Sequence, residues 1–148
     1  MTTIAITLPL LWLAWLALTE WVPMFPLNDL AKGNLRPRLL AAVINYLFPL
    51  FIAGCVAWHR HWTLITTVAL CGLILAGHLA SWWLPYLGLS SAAQRKVYAR
   101  DYARTLKILP TAGHDVVPDV QHMIVGHMIV GALTLAMLGT TLAATLTA

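Results

Sequence analysis

The sequence predicts an all-α fold: a transmembrane bundle of four helices with an amphipathic interfacial helix between the third and fourth spans. Three observations predict it. Of 148 residues, 60% are hydrophobic and only 9% charged, with a mean hydropathy of +0.79, whereas soluble domains carry roughly a quarter charged residues. The apolar residues fall into four runs, each long enough to meet the roughly 17 to 25 residues that a bilayer core asks of a helix. No run shows the alternation of a barrel strand, and in lipid the backbone must satisfy itself, so each run reads as a helix. This composition excludes a soluble globular domain, a disordered chain and a nucleic-acid-binding module. A single integral membrane domain over residues 1–148 remains.

The first span runs from about Ile4 to Val22. No Lys or Arg precedes it, so it reads as a retained span and not a cleavable signal peptide. Pro23 and Pro26 end it. The segment Trp21–Leu30 is apolar, punctuated by proline and too short to span. It reads as an interfacial turn packed on the bundle, with a re-entrant lid over a cavity as the alternative. The second span, Leu39 to Trp58, contains Pro49, which predicts a kink near Leu47. The hairpin His59-Arg60-His61 is so short that spans two and three must be antiparallel neighbours. The third span, Trp62 to about Leu84, stops at Pro85.

Ser91 with Gln94 three residues later makes a capping box, which predicts a helix over about 91–109. On a 100° wheel Tyr98, Tyr102, Leu106 and Leu109 share one side, with Lys96, Arg100, Arg104 and Lys107 almost opposite. Such a helix lies along the interface, its aromatic side in lipid and its four basic residues at the headgroups. The fourth span, about 119–147, opens on Pro118 and on Asp119 as N-cap.

Eight basic residues, Lys32, Arg36, Arg38, Arg95, Lys96, Arg100, Arg104 and Lys107, fall in loops one and three, against Arg60 alone in loop two. The positive-inside rule then puts loops one and three in the cytoplasm and both termini outside, in a multi-pass protein of the plasma (inner) membrane. Trp21, Trp82 and Trp83 mark the cytoplasmic interface, Trp58 and Trp62 the outer one, and Trp12 and Trp15 read as packing groups. Cys55 and Cys71 differ in depth by roughly 9 Å, too far for a disulfide. Small residues in spans three and four, including Gly72, Gly77, Gly126, Gly131, Ala132, Ala136 and Gly139, permit close helix contact. The contact serves the bundle first, with a homo-oligomer or larger membrane complex as the other use.

Ionisable groups within spans are costly and point to function. Asn45 and His78 each lie roughly 9 Å from the cytoplasmic side, His122 about 5 Å and His127 about 12 Å. Glu20 sits near the cytoplasmic end of span one. Every span thus brings a polar group to one third of the bundle. Interhelical hydrogen bonds that fix packing would explain these groups without any ligand. A binding or transport site would use Glu20, Asn45, His78 and His127. A metal or proton-transfer site would use His78, His122 and Glu20. His122 and His127 point roughly 140° apart on a helix and are not a zinc-gripping pair.

The segment Ser81-Trp82-Trp83-Leu84-Pro85-Tyr86, then Tyr98, Arg104-Thr105-Leu106-Lys107-Ile108-Leu109-Pro110, and Pro118-Asp119 before His122, resembles a pattern in small, functionally uncharacterised bacterial membrane proteins. The resemblance covers the last part of the chain. It implies a bacterial plasma-membrane protein in which the interfacial helix and the start of span four form one unit. It departs at Asp119, where an Asn is more usual in that pattern. Small multidrug transporters are similar in length and in a Glu on the first helix, but theirs lies mid-membrane. The membrane-associated eicosanoid and glutathione enzymes share the four-helix plan, but their Arg- and Asn-rich motif has no counterpart here.

The expected function is a small polytopic membrane protein that binds or moves a small hydrophobic or cationic ligand, or serves as a subunit of a larger complex. Its partners would be membrane lipids, not nucleic acid. The alternative is a membrane-embedded enzyme with a His/Glu site, metal-dependent or not, acting on a lipid-soluble substrate.

Overall fold

Each apolar run forms a helix within a few residues of its expected bounds. The computed structural model describes residues 2–30 and 35–146, so Lys32 of the first loop and Thr147 at the end of the fourth span lie outside the described residues. Helix α1 is Thr2–Trp21 and α2 is Leu35–Trp58. Helix α3, His61–His78, continues through a π turn, Leu79–Trp83, into a single helical turn α4, Leu84–Tyr86. Helix α5 is Ala92–Asp101 and α6 is Val120–Leu146. The described residues contain no strand.

Four helical stretches, Thr3–Trp21, Arg38–Trp58, His61–Tyr86 and Val120–Leu146, are long and apolar enough to cross a membrane. The chain is in this sense a multi-pass membrane protein. Leu40, Val43 and Leu47 on α2, and Ile65 and Leu73 on α3, are exposed, as suits helices whose outer faces meet hydrocarbon.

Helix α1 packs chiefly on α2 and α3 chiefly on α6, with lighter contacts from α1 to α6 and from α2 to α3. Trp12, Leu16, Ile52, Cys71, Val125, Ile129 and Ala132 form the shared core. Both cysteines are free and buried. The small residues of α6 face inward: Ala132 and Ala136 are buried, and a Cβ on Gly131 would lie 3.0 Å from Leu8 Cδ2. Gly72 and Gly77 on α3 have nothing within 4 Å of such an atom, so their pairs are not what joins this bundle. The hairpin turns at His59, whose φ of 50° is a left-handed conformation rare outside glycine. Trp58 and Trp62 flank it as an edge-to-face pair, centroids 5.6 Å apart.

Two expectations are corrected. The capping box is present, Gln94 N–H donating to Ser91 Oγ at 3.2 Å and Ser91 N–H to Gln94 Oε1 at 2.9 Å. The helix it starts nevertheless ends at Asp101 and does not reach 109. A longer helix would need Leu106 N–H to bond the Tyr102 carbonyl. That N–H goes instead to Pro26 O at 2.7 Å, while Leu106 O accepts from Val120 N–H at 2.9 Å. Leu106 thus stitches the α1–α2 connection to the start of α6, and the Thr105 N–H and the Lys107 ammonium take over the Tyr102 carbonyl.

Trp82 is the second correction. It is 9% exposed and faces inward, away from the interface belt. The π turn supplies the reason, since one extra residue in a turn rotates the remainder of the helix by about 100°. Its cause lies in the sequence. Leu84 N–H bonds Leu79 O, five residues back, and Pro85 has no N–H with which to continue the ladder. The Ala80 carbonyl that Pro85 would have met in that register accepts from Gln94 Nε2 at 3.4 Å.

Candidate functional site

At the end of the bundle where α1 stops and α6 begins, the helices part around a cavity of about 550 Å³. Its deep wall is apolar: Trp12 and Leu16 from α1, Phe48 from α2, Ile74 from α3, Val125 and Ile129 from α6. Its outer wall is polar, with Glu20 from α1, Arg38 and Asn45 from α2, His78 from α3 and His122 from α6. Trp82 and Tyr102 complete that outer half.

His122 is the most constrained of these groups. It stands one turn inside α6, whose N-cap Asp119 accepts from His122 N–H at 2.9 Å through Oδ1. The same oxygen lies 2.7 Å from His122 Nδ1, and Oδ2 accepts from Thr105 Oγ1 at 2.9 Å. Asp119 is 1% exposed. Burial would raise its pKa, but the hydrogen bonds and charge of His122, with the Thr105 hydroxyl, hold it below the ordinary carboxyl value. The imidazole is also gripped by aromatics, with Trp82 tilted against it at 3.9 Å and Tyr102 edge-on at 5.2 Å. Burial, then the charges of Asp101 and Asp119, push the Tyr102 phenol up to about 12, so it stays neutral.

His78 faces α6 where Gly126 leaves room. A Cβ on Gly126 would lie 2.7 Å from His78 Nε2, so the ring occupies the space of a missing side chain. Glu20 interacts with the Tyr46 hydroxyl and lies within electrostatic reach of Arg38. Tyr46 OH in turn accepts from Trp21 Nε1 at 2.7 Å, and Arg38 lies over the Trp21 ring at 5.5 Å.

The connection after α1 closes one side of the mouth. Asn28, 4% exposed, donates to Thr19 O and Val22 O at 2.7 and 2.8 Å, and accepts from Met24 N–H. It satisfies carbonyls that the end of a helix leaves open. Asp29 pairs with Arg104 at 2.9 Å, which with the Leu106–Pro26 bond ties this connection to the chain after α5. Asn28, Asp29 and Leu30 all border the cavity, so the segment packs as a turn on the bundle and also walls the cavity.

Glu20, Asn45 and His78 therefore converge on one space, and His122 joins them. His127 does not. It is exposed, with its Nδ1 2.7 Å from Met123 O, because five residues along a helix carry it about 140° away from His122. Among the described residues no group of three His, Cys, Asp or Glu could hold a metal ion. Glu20, His78 and His122 border the same cavity without forming a ligand cluster. His122 Nδ1 is engaged by Asp119, and His78 Nε2 abuts α6.

The basic stripe resolves into separate ties. Lys96 is exposed on α5. Arg100 pairs with its neighbour Asp101 at 2.6 Å, and Arg104 holds Asp29. Lys107 turns back on Tyr102 O and Thr105 O, over the Tyr98 ring at 5.3 Å. Sequence reasoning missed Trp12, Trp82, Tyr102 and Thr105 as parts of the site. The spacing of Asp119 and His122, three apart at a helix start, could have signalled a side-chain pair beyond a cap. His114 stacks on Tyr86 at 4.0 Å, its Nδ1 2.7 Å from Tyr86 O, outside the cavity.

No family model matches the chain, and no curated protein or solved structure matches it.

Proposed function

We propose that this protein is a binding module of the plasma membrane that holds a small amphiphilic ligand within its four-helix bundle. The observation that carries this reading is the cavity of about 550 Å³, apolar in its depth and polar at its mouth. Ligand sites are concave and mostly apolar, with a few convergent polar groups that set orientation, and the volume lies in the usual range. Glu20, Asn45, His78 and His122 supply those groups, while Trp12, Leu16, Phe48 and Ile129 receive the apolar body. The basic loops favour the orientation with the mouth in the cytoplasm and both termini outside, where exposed Lys96 meets anionic headgroups. The resemblance to small bacterial four-span proteins fits the same placement. It also fits the way Leu106 and Asp119 join the chain after α5 to the start of α6.

The reading is tested with an uncharged solvatochromic naphthalene dye and the full-length protein in lipid nanodiscs, against protein-free nanodiscs. Saturable binding at one site is expected. Ile74→Trp, which adds bulk to the cavity wall, should weaken it by about tenfold or more, worth about 1.4 kcal/mol. His127→Ala should leave it unchanged. Non-saturating uptake, or equal binding by Ile74→Trp and wild type of the same elution volume, would sink the proposal.

A second reading has its own support. The Asp119–His122 pair is arranged like an oriented acid–base dyad, and an enzyme acting on a lipid-soluble substrate would use it for proton transfer. Either way the ligand enters the same cavity.

A further inference from the structure

One charge at the mouth of the cavity has no counterpart. Asp29 borders the cavity and is held by Arg104, while Asp101 and Arg100 border it and hold each other. His122 is paired with Asp119, and Glu20 engages the Tyr46 hydroxyl. Arg38 borders the same space and makes neither a hydrogen bond nor an ion pair among the described residues. Its Nε is buried without a partner; its two terminal nitrogens are unpartnered as well, but they are not buried. A guanidinium stays charged and can only donate. Enclosing part of such a group without a partner is costly, and an opposite charge brought beside it offsets that cost.

The guanidinium is also held in position. It lies over the Trp21 ring at 5.5 Å, and that ring is fixed by the bond from Trp21 Nε1 to Tyr46 OH at 2.7 Å. With Nε enclosed, the edge left to a ligand is the pair of terminal N–H groups. Two parallel N–H groups of an arginine match the two oxygens of one carboxylate or phosphate. Glu20 lies within electrostatic reach of Arg38 but forms no ion pair with it. Its charge therefore weakens the pull on an anion without occupying the fork.

One face of α2 leads from this charge into the bundle. Arg38, Ala41, Asn45 and Phe48 are spaced three or four residues apart and all border the cavity, as residues on one side of a helix do. Along that face the wall changes from cationic to polar to apolar over roughly 15 Å of helical rise. That is the polarity of a single-tailed amphiphile with its head at Arg38.

We infer, resting on the binding reading above, that the cavity receives a single-tailed amphiphile headed by an oxyanion, a carboxylate or a phosphate monoester. The head accepts from the terminal N–H groups of Arg38, and the tail follows the Arg38–Phe48 face of α2 inward. Arg38 is then the specificity-determining residue. The ligand is anionic, where the sequence alone suggested a hydrophobic or cationic one.

The test is displacement of the uncharged naphthalene dye from the full chain in nanodiscs of zwitterionic lipid, in mildly alkaline buffer. Each probe's partitioning into protein-free nanodiscs is subtracted. The probes share one tail: decanoate, decyl phosphate, decanol and decyltrimethylammonium. Wild type should bind at least one of the two anions about tenfold more tightly than decanol, the discrimination of a charge-assisted pair, and the tighter anion identifies the head. Decyltrimethylammonium should bind most weakly. Arg38→Gln should remove the preference for the anion while decanol still displaces the dye. Arg38→Lys, which keeps the charge and loses the fork, should retain only part of it. Glu20→Gln should strengthen anion binding. Each comparison is made between probes on one protein, so wild type alone decides the case if a variant does not fold. Equal binding of decanol and both anions would overturn the inference, as would tighter binding of decyltrimethylammonium or an anion preference that survives in Arg38→Gln. If the naphthalene dye binds in that event, the binding reading stands and only the ligand class is wrong. If the dye and all four probes fail to bind, both fall.

Discussion

Gly126 shows how one absent carbon shapes the site. Any side chain there meets the His78 ring, since the first atom added would lie 2.7 Å from Nε2 and 3.2 Å from Cδ2. Two effects then oppose each other in Gly126→Ala. Alanine in a helix interior is worth about 0.5–1 kcal/mol over glycine, whereas displacing His78 costs about 1–3 kcal/mol by crowding. The single variant should therefore unfold somewhat below the wild-type temperature, and bind the naphthalene dye less well as the ring is driven out of place. In the His78→Ala background the obstacle is gone, so Gly126→Ala should there stabilise by about 0.5–1 kcal/mol. Thermal unfolding of the four proteins in one detergent checks this, and no gain in the double variant would refute the packing argument. At this scale the sequence showed that Gly126 is small and His78 polar and buried. That they meet depends on the rotation of α3 against α6, which no local pattern encodes.

At the scale of elements, helix starts were legible and the course of the chain after a helix was not. Ser91–Gln94 and Asp119 act through their own neighbours, within three residues, so their chemistry is readable from spacing. The end of α5 is decided by partners far away in sequence: Pro26 takes Leu106 N–H, and Asp119 takes the Thr105 hydroxyl. The π turn is an intermediate case. Pro85 announces a break in the ladder, but the inward swing of Trp82 becomes evident only once the extra residue is known. Thr105 is the side-chain tie between the end of α5 and the start of α6. Thr105→Val keeps its shape and removes both the hydroxyl's bond to a buried carboxylate and its acceptance from Lys107 Nζ; the first alone should cost about 1.5–3 kcal/mol. Thr105→Ser should retain most of the stability. Thermal unfolding distinguishes them, and a Val variant as stable as wild type would mean that the tie contributes nothing.

For the whole molecule, the four spans were plain in the sequence because a bilayer imposes length and apolarity on each one separately. The cavity was not, because it arises where four helices fail to fill the space between them. The same separation governs orientation. Described basic residues gather at the cavity end, with Arg60 at the other, so the charge asymmetry and the cavity mouth share one end of the bundle. Translocating that end would carry several guanidinium and ammonium groups across the membrane, whereas translocating the hairpin end carries one. Cys55 and Cys71 are both buried, which gives a low background for thiol labelling from either side. Thr2→Cys and Leu146→Cys should therefore react with a membrane-impermeant maleimide added to intact cells, and a cysteine at Lys96 should react only after the membrane is opened. The reverse pattern would place the mouth of the cavity outside, and the ligand would then have to arrive from the opposite compartment.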